Sequence, residues 1–460
     1  MCLALAACGG RAAPTGPAIS AADTAMIDDV EHRTFTYFWN TADPTTGLIP
    51  DRAPTPAFSS IAAVGFGLTA YAIGAERGYV TRAQARDRAL TVLRFFRDAP
   101  QGEAATGVTG YKGFYYHFLD LRSGLRYRDV ELSSVDTALL LAGALFCREY
   151  FAAADPAEAE LRQIVDTLLD RVDWAWMQPR APAIAMGWQP EHGFLAYDWI
   201  GYDEGMIVIL LALGAASHPV APAAWDAWSA QYDRTWGTAY GQTFLGFPPL
   251  FGHQYSHLWV DFRGIRDRYM RAHGLDYFEN SRRATYAHQA YAIANPARWV
   301  GYDARVWGLT ACDGPGDLTI RVAGTPRTIR GYTARGLASQ DDGTIAPTAM
   351  ISSLPFAPEI VVPGMHALLD RYGAQIYRDD GFADAFNPSI PPGTPVAGGA
   401  IEGSAGWVDT DALGIDQGPI VGMIENYRSD LVWKTMRHSA YLKRALGRAG
   451  FTGGWLEAAR

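Results

Sequence analysis

From Thr24 onward, hydrophobic and polar positions recur with the period of a helix. Phe35, Tyr37, Phe38 and Trp39 form one aromatic stripe against Asp28, Glu31 and His32, and Gly47 and Pro50 end the segment. A small, apolar helix is expected from about Ser59 to Ala75, and a third from Thr81, an N-cap candidate, to about Arg97. The Gly/Thr-rich stretch 102–113 reads as loop, and Phe114 to Phe118 with Leu125–Tyr127 as a short hairpin. Further helices are predicted from Ser133 or Ser134 to about Phe151, from Asp155-Pro156 to about Trp176, from Asp203-Glu204, and from Pro222 to near Trp236. Others follow at about Tyr255–Ala272 and Tyr277–Ala294. Residues 296–345 change character: Gly, Pro and Asp are frequent, and Leu318-Thr319-Ile320-Arg321-Val322 alternates as a strand does. Helices return near Ala346–Ser352, Pro358–Tyr372, Gln417–Tyr427 and Ser429–Leu446.

Twelve to thirteen helices with little strand, and no repeat of fixed period, argue against an α-solenoid. Helices joined pairwise by long loops rich in aromatic residues and glycine suggest a closed ring of helical hairpins, an all-α (α/α)6 barrel with a small β insertion. One domain from 24 to 460 is the economical division. The longest apolar run, Met206 to Ala216, is about half of the ~20 residues that a spanning helix requires.

Composition narrows the classes. Hydrophobic residues make up 49% and charged residues 19% of 460, which excludes a disordered chain. The net charge of −9, with no basic patch, argues against nucleic acid and anionic membrane surfaces as partners. Fourteen Trp beside 23 Tyr exceed what a core needs and suit a cleft of flat apolar faces with polar rims, as sugar-binding sites have. At the start, Leu5-Ala6-Ala7-Cys8 resembles a lipobox, so 1–23 read as a lipoprotein signal and flexible tether, with lipid at Cys8 and a periplasmic, outer-membrane-anchored location in a Gram-negative bacterium. Cys147 and Cys312 remain, with buried free thiols the default reading and a disulfide the alternative.

Four segments carry candidate chemistry. In Trp199-Ile200-Gly201-Tyr202-Asp203-Glu204-Gly205-Met206, two acids precede an apolar helix. Helix capping explains acids there but not the aromatic company. A carboxyl walled by rings is desolvated, its pKa rises, and Glu204 becomes a candidate general acid with Asp203 in support. In Asp129–Asp136, Ser133 or Ser134 caps a helix and Asp136 falls inside it, so capping and catalysis compete, while Glu131 stands at loop level. In Gly414–Pro419, Asp416 either caps the helix that Gln417 opens or serves as a base, and Glu425-Asn426 follow. In Gly252–Arg263, His253 and His257 are spaced for one helical face, but no HExxH-type carboxylate follows. A metal is therefore not expected, and the His, Gln, Trp, Asp and Arg mix suits sugar hydroxyls better. A G-x-S-x-G elbow, a P-loop and a dinucleotide fingerprint are absent.

Taken in order, Glu131–Gly143, Gly201–Met206, His253–Arg263 and Asp416–Pro419 with Ile424–Asn426 resemble the bacterial glucoamylase-like domain of glycoside hydrolase family 144, typified by β-1,2-glucanases, over about residues 24–450. The resemblance implies an (α/α)6 barrel that hydrolyses β-1,2-linked glucan with inversion. It marks Glu204 as acid, Asp416 as base and Asp136 as a further cleft acid, with neither metal nor cofactor. On that reading Trp188, Trp259 and Trp407 stack on glucose rings, while Gln254, Asp261 and Arg263 bind hydroxyls. Glu131, Tyr202, Asp203, His253, Gln417, Glu425 and Asn426 complete the expected substrate-binding set. A glycan-binding surface lipoprotein without catalysis and a transglycosylase on the same fold are the alternatives.

Overall fold

The computed structural model describes residues 19–457; the signal, Cys8 and the expected tether up to residue 18 lie outside the described residues, while residues 21–23 of that expected tether already belong to the first helix. Sixteen α-helices occur among them: α1 (Ala21–Thr41), α2 (Ile61–Arg77), α3 (Arg82–Asp98), α4 (Ser134–Tyr150), α5 (Pro156–Arg171), α6 (Met206–Gly214), α7 (Ala223–Ser229), α8 (Tyr232–Thr235), α9 (Tyr255–Trp259), α10 (Arg268–His273), α11 (Tyr277–Ala294), α12 (Pro347–Ile351), α13 (Pro358–Ile376), α14 (Gly414–Ser429), α15 (Leu431–Met436) and α16 (Ala440–Arg448).

Burial sorts these helices into two rings. Helices α6, α9 and α12 are buried along their whole length, and α2, α4 and α14 over nearly all of theirs. A helix apolar all round belongs inside. By contrast α1, α3, α5, α11, α13 and α16 bury one stripe each. The inner helices follow one another around a closed circle, α2–α4–α6–α9–α12–α14 and back to α2. Side chains tie the later joints: Gln254 Nε2 donates to the Ala349 carbonyl (2.8 Å) between α9 and α12, and Thr348 Oγ1 to the Asp416 carbonyl (2.9 Å) between α12 and α14. This is the expected (α/α)6 ring.

The α2–α4 joint is a backbone contact. A Cβ on Gly143 would overlap the Gly65 carbonyl, and one on Gly65 the Leu139 carbonyl. Overpacking at such a joint costs about 1–3 kcal/mol. Gly143→Ala is therefore expected to lower the denaturant midpoint clearly, whereas Gly447→Ala in α16, where a Cβ meets nothing within 4 Å, leaves it unchanged or raises it. Equal midpoints for the two variants would contradict the close joint.

Several boundaries differ from the sequence reading, each for a local reason. The helix expected over 255–272 is two, α9 and α10, because Gly264 takes φ +75° and Asp267 caps a new helix through the Met270 N–H. The segment 222–236 divides into α7 and α8, followed by a hairpin pairing Trp236–Ala239 with Gln242–Leu245. The segment 429–446 is two helices, α15 and α16: Asp430 (φ +62°) separates α15 from α14, and Ser439 caps α16. The strand at Leu318–Val322 pairs with Thr325–Ile329 inside the 296–345 insertion. All sheets among the described residues have two or three strands. Cys147 and Cys312 are free and buried.

Candidate functional site

The inner helices begin at one rim, and the acids that precede or open them meet there. Strand Leu132–Ser133 leads into α4, where the Ser133 hydroxyl caps the Asp136 N–H (3.1 Å) and donates to the Asp136 carboxylate. His117 bridges the two acids of this segment, with Nδ1 3.0 Å from Glu131 Oε1 and Nε2 3.5 Å from Asp136 Oδ1. Burial alone would lower the imidazole's pKa, but Asp136, Glu131 and Asp51 around it raise it to about 9, so it is a cation at neutral pH. Phe118 stacks on the ring at 3.9 Å and continues into the half-exposed Phe58 and Tyr127.

Asp203 and Glu204 stand just outside α6, in the turn before Met206. Asp203 Oδ1 accepts the Gly205 N–H (2.8 Å), so it shapes the turn, while Glu204 makes no cap and its buried Oε2 has no partner. Burial, then the Asp203 charge, pushes the Glu204 carboxyl up to about 8, and Asp136 adds to the effect. Burial raises Asp203 to about 7.

Across the rim, Asp416 lies in the first turn of α14, which opens at Gly414 with no side-chain cap. Burial raises its carboxyl to about 7; Asp384 acts against that rise, and the Asp313 and Asp51 charges add to it. Arg52 pairs with Asp51 (3.2 Å) and with Asp313, held by the antiparallel pairing of Arg52-Ala53 with Ala412-Leu413. The Asp313 N–H donates to Asp384 Oδ2 (2.7 Å). The Tyr255 phenol donates to the Ile415 carbonyl (3.4 Å); burial raises its pKa most, and the charges of Asp416 and Glu204 add to the rise. Asp51 reaches His117 electrostatically and so closes the circle. Tyr332 lies near this group and is 59% exposed.

Asp313, Asp384 and Asp409 bring carboxylate oxygens within 4.8 Å of one another, the one such set among the described residues. Oxygen donors suit a hard divalent ion. Arg52 already engages Asp313, however, and burial raises the pKa of Asp384 and Asp409.

Glu131, Asp136, Asp203, Glu204 and Asp416 thus share one rim. Trp188 sits beside it, on a strand paired with Leu132, packed against Tyr111 and Trp176. Other expected binding residues are not at the rim. Trp259 is fully buried, stacked on Phe66, with its indole N–H donated to Thr69 (3.0 Å). Trp407 is buried, and its indole donates to the Gly398 carbonyl (2.7 Å). Tyr202 stacks on Tyr277 within the ring. His253 and His257 turn to Phe247 O and Ser281 Oγ, and burial lowers both imidazoles, that of His253 to about 3. Gln254 is spent on joining α9 to α12, and the Gln417 amide donates to Phe382 O (2.8 Å). Asp261 and Arg263 form an ion cluster with Asp430 and Arg437. Glu425 and Asn426 are nine and ten residues beyond Asp416, roughly 14 Å along the helix axis. There Glu425 pairs with Arg77 (2.5 Å), and Asn426 binds Leu258 O and the Trp433 N–H. These are corrections with one cause: hydrogen-bonding side chains in an aromatic setting also suit the interior of a helical ring.

Sequence reasoning missed Asp51, Arg52, His117, Asp313, Tyr332 and Asp384. Each lies in a loop or two-residue strand without periodicity, so only long-range pairing brings it in.

Ring and rim together define an (α/α)6 protein with a group of carboxyls at one end of the ring. Residues 196–440 match the Glycoamylase family model, described as "Putative glucoamylase", and the chain belongs to that family. The exo-β-1,2-glucooligosaccharide sophorohydrolase (non-reducing end) of Parabacteroides distasonis is 28% identical over 444 residues, 89% of this chain. The chain spans 56% of that relative's length. A crystal structure from Bacteroides uniformis, carrying the same description as the family, superposes with TM-score 0.82 at 30% identity, over 95% of this chain and 100% of that one. The endo-β-1,2-glucanase of Chitinophaga pinensis, in complex with sophorotriose and glucose, gives TM-score 0.80 at 28% identity, over 95% and 100%.

Proposed function

We propose that this protein is a glycoside hydrolase that cleaves β-1,2-linked glucan or its oligosaccharides with inversion. Glu204 is the general acid, Asp416 the general base, and Asp136 supports the acid. The carrying observation is a pair of buried carboxyls in unequal settings at one rim: Glu204 stands just outside α6 with a buried Oε2 that has no partner, and Asp416 lies in the first turn of α14. Unequal environments are what separate an acid from a base. The relatives named for β-1,2-linked substrates support the choice of glucan.

In this mechanism Glu204 protonates the glycosidic oxygen as the bond breaks. Asp416 removes a proton from the water that attacks the anomeric carbon on the opposite face. The rate therefore needs Glu204 protonated and Asp416 ionised. Activity should fall as pH drops below about 7, where Asp416 takes up its proton, and as pH rises above about 8, where Glu204 loses its own. Asp203→Asn preserves the acceptor for the Gly205 N–H but removes the charge that helps hold the Glu204 proton. It is expected to move the alkaline limb of kcat/KM down by about one pH unit. An unmoved limb would show that another group sets it.

Incubation with linear β-1,2-glucan, laminarin, cellulose and starch, followed by product sizing and NMR, tests the substrate and the stereochemistry. The reading expects shortened β-1,2-linked products of inverted configuration. Products longer than the substrate would point to transglycosylation, and none at all to a glycan binder.

A further inference from the structure

Beside the insertion lies a cavity of about 570 Å³ that none of the rim acids lines. Small-molecule sites take roughly 300–1,000 Å³. Three segments wall it: the hairpin tip at Tyr240, the loop after α11 at Pro296-Ala297, and the part of the insertion that carries Arg327, Arg330 and Gln340. Its two guanidiniums are uncommitted. Arg327 Nη2 donates to the Ala297 carbonyl (3.2 Å), and its buried Nε has no partner. Arg330 is held by its main chain, whose N–H donates to Asp342 Oδ2 (3.0 Å) and whose carbonyl accepts from Arg335 Nη2 (3.2 Å). Among the described residues neither side chain has a carboxylate partner, whereas Arg335 is paired with Asp342.

One carboxylate, Asp341, lines the cavity, and both of its oxygens are taken. Oδ1 accepts the Tyr302 hydroxyl (2.7 Å) and the Gly343 N–H (3.1 Å), and Oδ2 the Tyr291 hydroxyl (2.6 Å) and the Trp299 indole N–H (2.9 Å). Two cations against one acid leave the cavity net positive in a chain of net charge −9. The backbone around it is strained. Of the nine non-glycine residues with positive φ among the described residues, Tyr240 (+48°), Ala338 (+55°) and Gln340 (+54°) line the cavity. Asn295 (+39°) and Arg298 (+62°) flank its Pro296-Ala297 wall. Left-handed backbone without glycine is costly and gathers at ligand sites. Asn295 also clamps that wall, with Nδ2 donating to the Trp299 carbonyl (2.8 Å) and Oδ1 accepting the Trp299 N–H (2.8 Å). The walls are thus set before any ligand arrives, which lowers the cost of binding.

We propose that this cavity is a binding site, separate from the reaction, for a sugar unit that carries an anionic group, phosphate or carboxylate. Arg327 and Arg330 hold the anion, because a guanidinium fork matches either group. The ring of Tyr240, 37% exposed at the hairpin tip, offers an apolar face to the sugar, and Thr328 and Gln340 supply polar groups for its hydroxyls. A bare oxyanion would leave most of this volume unused. The site does not depend on the assignment of Glu204 and Asp416.

Isothermal titration calorimetry on the full chain tests it with glucose 6-phosphate, glucuronate, glucose and inorganic phosphate. At least one of the two charged sugars should bind ten times or more tighter than both glucose and inorganic phosphate, and the preferred one tells phosphate from carboxylate. Arg327→Gln and Arg330→Gln should each weaken that binding about tenfold or more, and added salt should weaken it as well. Both variants should unfold at the native midpoint, since neither side chain has an ion-pair partner to lose. Glu204→Gln, at the rim, should bind the charged sugar as the native protein does. The proposal is overturned if neither charged sugar binds, or if glucose or inorganic phosphate binds equally well. It is also overturned if both arginine variants keep the native affinity, which would place the probe elsewhere.

Discussion

Glu204→Gln should lower kcat/KM on β-1,2-glucooligosaccharide about 10³-fold while the protein unfolds at the native midpoint. Glutamine fills the same volume but has no acidic proton to give to a departing glycosidic oxygen. General acid catalysis by a placed side chain is worth about 10²–10⁴-fold, and a sugar leaving group with an alkoxide pKa needs all of it. The fold does not need the carboxyl. Its Oε2 has no partner, and the turn before α6 is held by Asp203 through the Gly205 N–H. Removal of a strained, desolvated acid is neutral or mildly stabilising by the same logic. An aryl glucoside with a good leaving group should recover much of the lost rate, because little proton transfer is then required. Near-native turnover on the natural linkage would end the assignment of Glu204 as acid, whatever the fate of Asp416.

Arg335→Met should cost the protein about 3–5 kcal/mol. Arg335 and Asp342 are both fully buried and joined in two bonds, Nε to Oδ1 (2.7 Å) and Nη2 to Oδ2 (2.9 Å). The guanidinium also donates to the carbonyls of Cys312 (2.7 Å) and Gly331 (2.9 Å), while Asp342 accepts the N–H of Arg330 (3.0 Å) and Thr344 (3.1 Å). One side chain thereby holds both ends of the loop that carries Asp313 and Tyr332 to the rim. Methionine leaves Asp342 charged, buried and unpaired, and strips several carbonyls of their donor. Lysine should not rescue it, since a point charge cannot span those acceptors as a planar fork does. The double variant Arg335→Met/Asp342→Leu should be less destabilised than the single one, because the uncompensated charge is gone. Denaturant unfolding reads all three variants. A loss under about 1 kcal/mol for Arg335→Met would show that the pair does not organise the insertion.

The two predictions concern residues of opposite legibility. Glu204 announces itself: helix capping explains acids before a wholly apolar run but not their Trp-Tyr company, and the turn places Glu204 outside α6 with the Gly205 N–H taken by Asp203. Asp136 and Asp416 are legible for a related reason, as acids at helix starts beside segments too apolar to face solvent. Asp384, Asp313 and Arg52 have no such signature. Each sits in a loop of mixed composition, where an acid or an arginine looks solvated. The false leads are as instructive. Trp259, Gln254, His253 and Asn426 have the chemistry of sugar contacts, and the ring uses it inwardly, to satisfy buried N–H and carbonyl groups where helices cross.

What the linear chain determined is its architecture and several of the acids that gather at one rim of it. Periodicity, caps such as Thr81 and Ser133, and helices apolar on every face suffice to call for a closed double ring, because such helices have nowhere else to bury their surface. What tertiary structure alone decided is which polar residues face the cleft and which are absorbed by the interior. It also brought loops up to about 365 residues apart, from Asp51 to Asp416, into one electrostatic group. A carboxyl's task depends on its dielectric surroundings and on the charges within a few ångströms. Those are properties of neighbours in space, and adjacency along the chain does not encode them.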